Sequence, residues 1–260
     1  MNMKAFITGA TSGIGKKIAE KLSEMGWELV LTGRNKEVLE EMQARLGKTE
    51  IISAELSDKN EVFRVYKFCK GKNIDMLVNN AGYGLFGRFD EIDLDDEIDM
   101  INVNITALHI LTKLFLRDFK KRNRGIILNV ASVAGFMTGP LLSSYYASKN
   151  YVLRLSLGIY EELRRDRSKV SVTVLCPGPV DTEFNNRAGV SFSAKPITAD
   201  FAAEYAIKKA LSGKLFAIPG LTAKFCAVGQ RFVPQKLLSA VTYEIQHAKK
   251  TSGSKERNFK

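Results

Sequence analysis

Two side chains one helical turn apart offer the first chemistry in this sequence. Tyr145 and Lys149 stand at i and i+4 in Tyr145-Tyr146-Ala147-Ser148-Lys149, a spacing that puts both on one face of a helix. A tyrosine hydroxyl has a reference pKa of about 10, too high for ready proton transfer near neutrality. A neighbouring ammonium stabilises the phenolate and lowers that value. The pair is therefore expected to form an acid–base centre in which Lys149 tunes Tyr145. Tyr146 has no such partner, because Asn150 follows it four residues later. Ser132 lies thirteen residues before Tyr145, just past an apolar run, where parallel α/β folds gather their ligand contacts.

A second group of residues could hold a phosphate. Thr8-Gly9-Ala10-Thr11-Ser12-Gly13-Ile14-Gly15 closes one apolar run and opens a helical one. Glycines there let the backbone turn tightly and approach a pyrophosphate, while the helix N-terminus supplies N–H donors. The spacing is G-x-x-x-G-x-G, which differs from the strict G-x-G-x-x-G fingerprint. Sites for NAD usually place an acidic residue after the second strand, on the ribose 2′-hydroxyl. Thr32-Gly33-Arg34-Asn35 stands there instead. No carboxylate at that point repels a phosphate, and the guanidinium fork of Arg34 suits a 2′-phosphate. NADP(H) is expected in preference to NAD(H).

A β/α alternation positions these residues. Strands are predicted at 4–8, 27–32, 50–53, 74–78, 125–130 and 170–175, with a weaker seventh at 214–218. Helical spacing fills the intervals at 14–25, 35–46, 58–69, about 94–121 and 143–167, with Asn35 as an N-cap. Short, nearly unbroken apolar strands between helices indicate a parallel sheet covered on both faces. Right-handed crossovers then make an α/β, Rossmann-like, doubly wound fold with a seven-stranded, mostly parallel sheet.

Residues 1–220 are read as a dinucleotide-binding and catalytic domain, 221–250 as its helical extension, and 251–260 as a disordered basic tail. Residues 183–200 are expected to be an irregular lid over the substrate. In the extension, Leu221, Phe225, Val228 and Phe232 form one apolar face, and Leu238, Val241 and Ile245 another. Packing on the domain or a sister subunit is expected for them, ahead of a membrane.

Composition narrows the class. The chain has 260 residues, 45% hydrophobic and 26% charged, enough to bury a core without staples. Its net charge of +11 is concentrated in two places. One is Lys249, Lys250, Lys255, Arg257 and Lys260; the other is Arg117, Lys120, Lys121, Arg122 and Arg124. No base-stacking or groove-reading motif accompanies either, so nucleic acid is not an expected partner. Cys69, Cys176 and Cys226 lack metal or redox spacing, and His109 and His247 are far apart. Reduced thiols in a cytoplasmic protein without a metal site are expected. No apolar run approaches a membrane span, and residues 1–10 show no leader pattern.

In order along the chain, these residues resemble the short-chain dehydrogenase/reductase family from about Met3 to Phe184. The landmarks are the glycine loop, Asn79-Asn80-Ala81-Gly82, Asn104 within Asn102-Val103-Asn104, Ser132, Tyr145, Lys149, and Pro177-Gly178-Pro179-Val180-Asp181-Thr182. The resemblance implies that Tyr145 protonates a carbonyl oxygen in reduction, or accepts an alcohol proton in oxidation. It also implies that Lys149 lowers the tyrosine pKa and bonds the nicotinamide ribose. Ser132 would hold the substrate oxygen, and Asn104 would support a water-linked proton relay to Lys149.

Cofactor contacts are implied at Gly9, Thr11, Ser12, Gly13, Ile14, Gly15 and Gly82, and at Asn80 and Ala81 by the adenosine ribose. Others are implied at Pro177, Gly178, Val180 and Thr182, the last two near the nicotinamide carboxamide. Glu55-Leu56 stands where the family often has Asp and an apolar residue near the adenine, so this longer carboxylate reaches differently. The implied activity is hydride transfer between NADP(H) and a small carbonyl or alcohol, in a homodimer or homotetramer. Reduction of a 3-oxoacyl thioester is one alternative. A non-catalytic cofactor-sensing or scaffold protein is the alternative of another class.

Overall fold

Residues 3–182 and 196–253 are described in the computed structural model. The strands, in chain order, are β1 (Lys4–Thr8), β2 (Glu28–Gly33), β3 (Thr49–Ser53), β4 (Met76–Asn79), β5 (Gly125–Val130), β6 (Val170–Leu175), β7 (Val180–Asp181), β8 (Ile197–Thr198) and β9 (Phe216–Ala217). Seven of them form one parallel sheet in the order β3-β2-β1-β4-β5-β6-β9. Alternation along each strand feeds two cores, one per face. In β1, Ala5 and Ile7 enter one core and Phe6 the other.

Helices cover both faces. α1 (Gly13–Glu24) and α2 (Lys36–Arg45) bury Ile18, Leu22, Leu39 and Met42 on the first. α3 (Lys59–Cys69) supplies Val62 and Val65 to the second. There it meets α5 (Leu108–Lys121), with Leu111, Phe115 and Phe119, and α6 (Ser143–Arg165), with Ile159 and Leu163. Asn35 caps α2 by accepting from Val38 N at 3.0 Å. The order of the sheet reverses between β1 and β4, so the chain leaves their carboxyl ends in opposite directions. A crevice opens at that point.

Three features differ from expectation. The helical rod from 94 to 121 is not uniform: α4 (Leu94–Ile101) passes through a π-helical segment, Asn102–Ala107, into α5. Such wide turns often occur at functional positions, and this one carries the buried Asn104.

Of the expected irregular stretch, residues 183–195 lie outside the described residues. The remainder is ordered. β7 pairs with β8 through Val180↔Ile197 and Asp181↔Thr198, and α7 (Ala199–Leu211) begins at once. Thr198 caps it by accepting from Phe201 N at 3.1 Å. α7 joins the core beside α1 through Ala203, Ala206 and Ile207.

The extension forms α8 (Leu221–Gly229) and α9 (Gln235–Gly253), but with faces other than those expected. α8 turns Ala223 and Ala227 inward, and α9 turns Leu238, Thr242 and Gln246 inward. Leu221, Phe225, Val228, Phe232, Val241 and Ile245 stand exposed. On its inward side α8 faces Gly178, where an added Cβ would stand in ordinary contact, 3.8 Å, with Ala223 Cβ. The inward polar groups of α9 are satisfied, since Thr242 Oγ1 donates to Leu238 O and Gln246 to Tyr146. α9 runs to Gly253, beyond the expected start of the tail; residues 254–260 lie outside the described residues.

Candidate active site

The glycine loop is fixed by contacts that exclude larger residues. Asn80 Nδ2 donates to Thr8 O and Gly9 O at 3.1 and 3.0 Å. The Thr8 hydroxyl accepts from Asn80 N and Ala81 N, both at 3.0 Å. A Cβ at Gly15 would lie 2.4 Å from Gly9 O, and one at Gly9 would lie 2.8 Å from Ala81 Cα. Gly9 also sits at φ +62°, a left-handed conformation natural to glycine. Ser12 begins α1 without a side-chain capping bond, and no acidic residue occupies the first turn. The first amides of the helix therefore point at the crevice uncapped, a donor set that fits a pyrophosphate.

Facing this loop are the groups with acid–base chemistry. Ser132 follows β5, accepts from Ala134 N at 3.1 Å and donates to Pro177 O at 3.4 Å. Tyr145 and Lys149 project from the start of α6. Lys149 Nζ lies 5.8 Å from the Tyr145 ring centroid and donates to Val130 O at 3.0 Å. Behind them Asn104 accepts from Tyr83 N at 3.0 Å and donates to Tyr83 O at 2.8 Å and Ser148 Oγ at 3.0 Å. A Cβ at Gly82 would lie 2.8 Å from Asn104 Oδ1 and 3.2 Å from Lys149 Nζ. The bare glycine is what lets those two groups converge.

Burial dominates the titration of both groups. It pushes the Tyr145 hydroxyl above the ordinary tyrosine range, while a hydrogen bond with Ser132 pulls the other way. The direction is opposite to the lowering by Lys149 that the helical spacing led us to expect, because burial sets it. Lys149 is itself lowered to about 8, because burial disfavours its charged form; Cys176 opposes that shift.

One cleft is lined by Gly9, Thr11, Ser12, Gly13 and Ile14 at one side and by Ser132, Tyr145, Lys149 and Gly178 at the other. Arg34, Glu55, Leu56, Asn80, Ala81, Gly82, Pro177, Val180 and Thr182 also line it. Gly15 and Asn104 do not; they sit behind its wall, against Asn80 and Tyr83 respectively.

The cleft also shows what sequence reasoning missed. Arg34 Nη1 lies 3.6 Å from Glu55 Oε2, so a carboxylate does reach the end of β2, delivered from beyond β3. Tyr146, set aside in the sequence for want of a lysine, lines the cleft beside Tyr145, and its hydroxyl accepts from Gln246 Nε2 at 2.6 Å. Proximity to Tyr145 was the available signal for Tyr146. For Gln246, a hundred residues away, there was none.

A doubly wound parallel sheet with a dinucleotide-type loop at its switch point and acid–base groups across the crevice defines a class of oxidoreductases. Residues 3–191 match the family model of short chain dehydrogenases, and the chain belongs to that family. It is 36% identical over 198 residues to the very-long-chain 3-oxoacyl-CoA reductase of Anas platyrhynchos. That alignment covers 72% of this chain but only 63% of the length of the duck protein. An uncharacterized oxidoreductase of Staphylococcus epidermidis is 36% identical over 182 residues, covering 68% of this chain and 78% of that protein. Among solved structures, a short-chain dehydrogenase from Sphingobium yanoikuyae in complex with NADPH superposes with a TM-score of 0.80 at 30% identity. The match covers 88% of this chain and 93% of that one.

Proposed function

We propose that the protein transfers a hydride between NADP(H) and a carbonyl or alcohol, with Tyr145 as general acid and base. The observation that carries this is the convergence of Tyr145, Ser132 and Lys149 on the same cleft as the glycine loop and Arg34. When bound, NADP(H) supplies or accepts the hydride. In reduction the Tyr145 hydroxyl, kept protonated by its burial, donates its proton to the carbonyl oxygen; in oxidation it accepts the alcohol proton. Ser132 exchanges its long contact with Pro177 O for the same substrate oxygen. Lys149 holds a charge beside the tyrosine and offers Nζ to the nicotinamide ribose. Asn104 is a positioning residue, which pins Tyr83 and Ser148 behind Lys149 and supports a water-linked proton path to it.

NADPH oxidation, followed by absorbance against ketones, aldehydes and 3-oxoacyl thioesters, tests this reading. Turnover with at least one class is expected, and silence across all of them would assign the cleft to cofactor sensing. Thioesters belong in the panel because similar proteins from Anas platyrhynchos and Mycosarcoma maydis are called very-long-chain 3-oxoacyl-CoA reductases. Our reading places the enzyme in the cytoplasm as a homodimer or homotetramer. The unbonded thiols of Cys69, Cys176 and Cys226 support the compartment, and exposed Leu94 and Ile98 on α4 support self-association.

The proposed preference for NADP(H) rests on Arg34, and Glu55 sets its strength. Arg34→Ala is expected to raise KM for NADPH roughly 10- to 100-fold, the range for losing a charge-assisted bond, with NADH nearly unaffected. Glu55→Gln acts oppositely: it removes the competing carboxylate and lowers KM for NADPH by about two- to fivefold, as suits an exposed pair. Initial rates with both nucleotides check this. An unchanged NADPH preference in Arg34→Ala would place the 2′-phosphate elsewhere.

A further inference from the structure

We infer that α8 and α9 dock the protein on an anionic lipid surface. Leu221, Phe225, Val228 and Phe232 follow helical spacing on the side of α8 opposite its buried Ala223 and Ala227, and continue into the turn at 230–232. They are 72%, 74%, 58% and 83% exposed. Leu237, Val241 and Ile245 stand exposed along α9. Single exposed apolar side chains are ordinary. Seven within 25 residues, two of them phenylalanines, make a patch of the kind that marks an interaction surface.

Charge selects the occupant. From Leu221 onward the sequence has eight basic residues against only Glu244 and Glu256, more than half of the net +11 of the whole chain. Lys224 and Lys236 stand exposed on the helices that carry the stripe. A second copy would set like charge against like charge. A bilayer with anionic headgroups offers opposite charge over an apolar interior, the environment suited to helices with Phe and Leu on one side and Lys or Arg on the other. No helix among the described residues is long and apolar enough to cross a membrane, so these helices lie in the interface.

The inner faces of the same helices pack behind the cleft, against Tyr146 and Gly178 of its lining. Gln246 holds Tyr146, Ser239 Oγ lies 2.8 Å from Thr138 Oγ1, and Ala223 packs on Gly178. Docking therefore puts the substrate end of the cleft beside the lipid. The docking is independent of the chemistry inside.

Co-sedimentation of the full chain with vesicles of phosphatidylcholine, with and without phosphatidylglycerol, tests this. Binding about tenfold or more tighter to the anionic vesicles, weakening with salt, is expected. The double variant Phe225→Ser, Phe232→Ser should lose it while keeping wild-type circular dichroism and NADPH affinity, because both side chains are exposed. Lys224→Gln with Lys236→Gln should narrow the difference between the two vesicle types. Absence of wild-type binding, or undiminished binding by the serine variant, would overturn the assignment. So would a smaller mass in solution for the serine variant than for wild type, which would give the face to a second copy of the chain.

Discussion

Tyr145→Phe is expected to lower kcat by about 10²- to 10⁴-fold, the usual contribution of a positioned general acid–base group, while NADPH binds as in wild type. The ring stays in place, since it packs against Tyr146 with centroids 6.1 Å apart and above Lys149. Only the hydroxyl and its bond with Ser132 are lost. The folded state should lose about 1 kcal/mol or less, the typical net worth of one hydrogen bond. Direction of reaction adds a second readout. Burial keeps the proton on Tyr145 above its ordinary range, so wild-type reduction should stay level through neutral pH. Oxidation, which needs the deprotonated oxygen, should climb as the medium becomes alkaline. Single-turnover reduction by the variant, with nucleotide titration followed in parallel, separates loss of chemistry from loss of binding. Turnover within a few-fold of wild type would overturn the assignment of Tyr145.

What could be read in advance followed what leaves a periodic or capping mark. The strands were legible because apolar runs bounded by glycine and polar residues have few alternative readings, and Asn35 announced its helix by side-chain chemistry. α7 was not legible. Its buried face is mostly alanine, Ala202, Ala203, Ala206 and Ala210, so close packing produces little contrast in hydrophobicity. Its other marks were present and unused: Thr198 at the cap, Asp200 in the first turn, Lys208 and Lys209 in the last. The π-helical segment at 102–107 left no trace, because Ile101, Ile105 and Leu108 continue a helical pattern across it. In the extension the apolar stripes were visible, but periodicity does not say which side of a stripe is covered. The inward surface is decided by neighbours distant in sequence, Gly178 beside Ala223 and Tyr146 for Gln246. In the cleft, residues whose work is backbone geometry or local spacing were found from type and order. Glu55 beside Arg34 and Gln246 beside Tyr146 depend on topology, which no local pattern encodes.

Lys149→Met should show the largest opposition between stability and activity. Lys149 is only 5% exposed, and it donates to a neutral carbonyl, Val130 O. Burial lowers its pKa from 10.5 to about 8. Between those values the unfolded chain holds a proton that the folded chain has released, so this residue makes stability rise with pH. Below about pH 8 the lysine is charged in both states and its penalty, about 3 kcal/mol from the shift, is fully present. Methionine has similar length, no charge and the flexibility to fill the same channel. Its advantage over wild type is therefore greatest below pH 8 and shrinks by about 3 kcal/mol on passing to pH 10.5. The unpaired Val130 carbonyl offsets part of it at every pH. Cys69, pushed up to about 12 by burial, titrates alike in both proteins and cancels from the difference. Denaturant unfolding of both at a series of pH values measures this, and a difference that stays constant from pH 8 to 10.5 would overturn it. Turnover should fall with the charge, because the ribose contact we propose for Lys149 and the cation beside Tyr145 both go. A residue that costs the fold about 3 kcal/mol at neutral pH is thus one that our proposed mechanism requires, as is usual for a buried charge retained at a reaction centre.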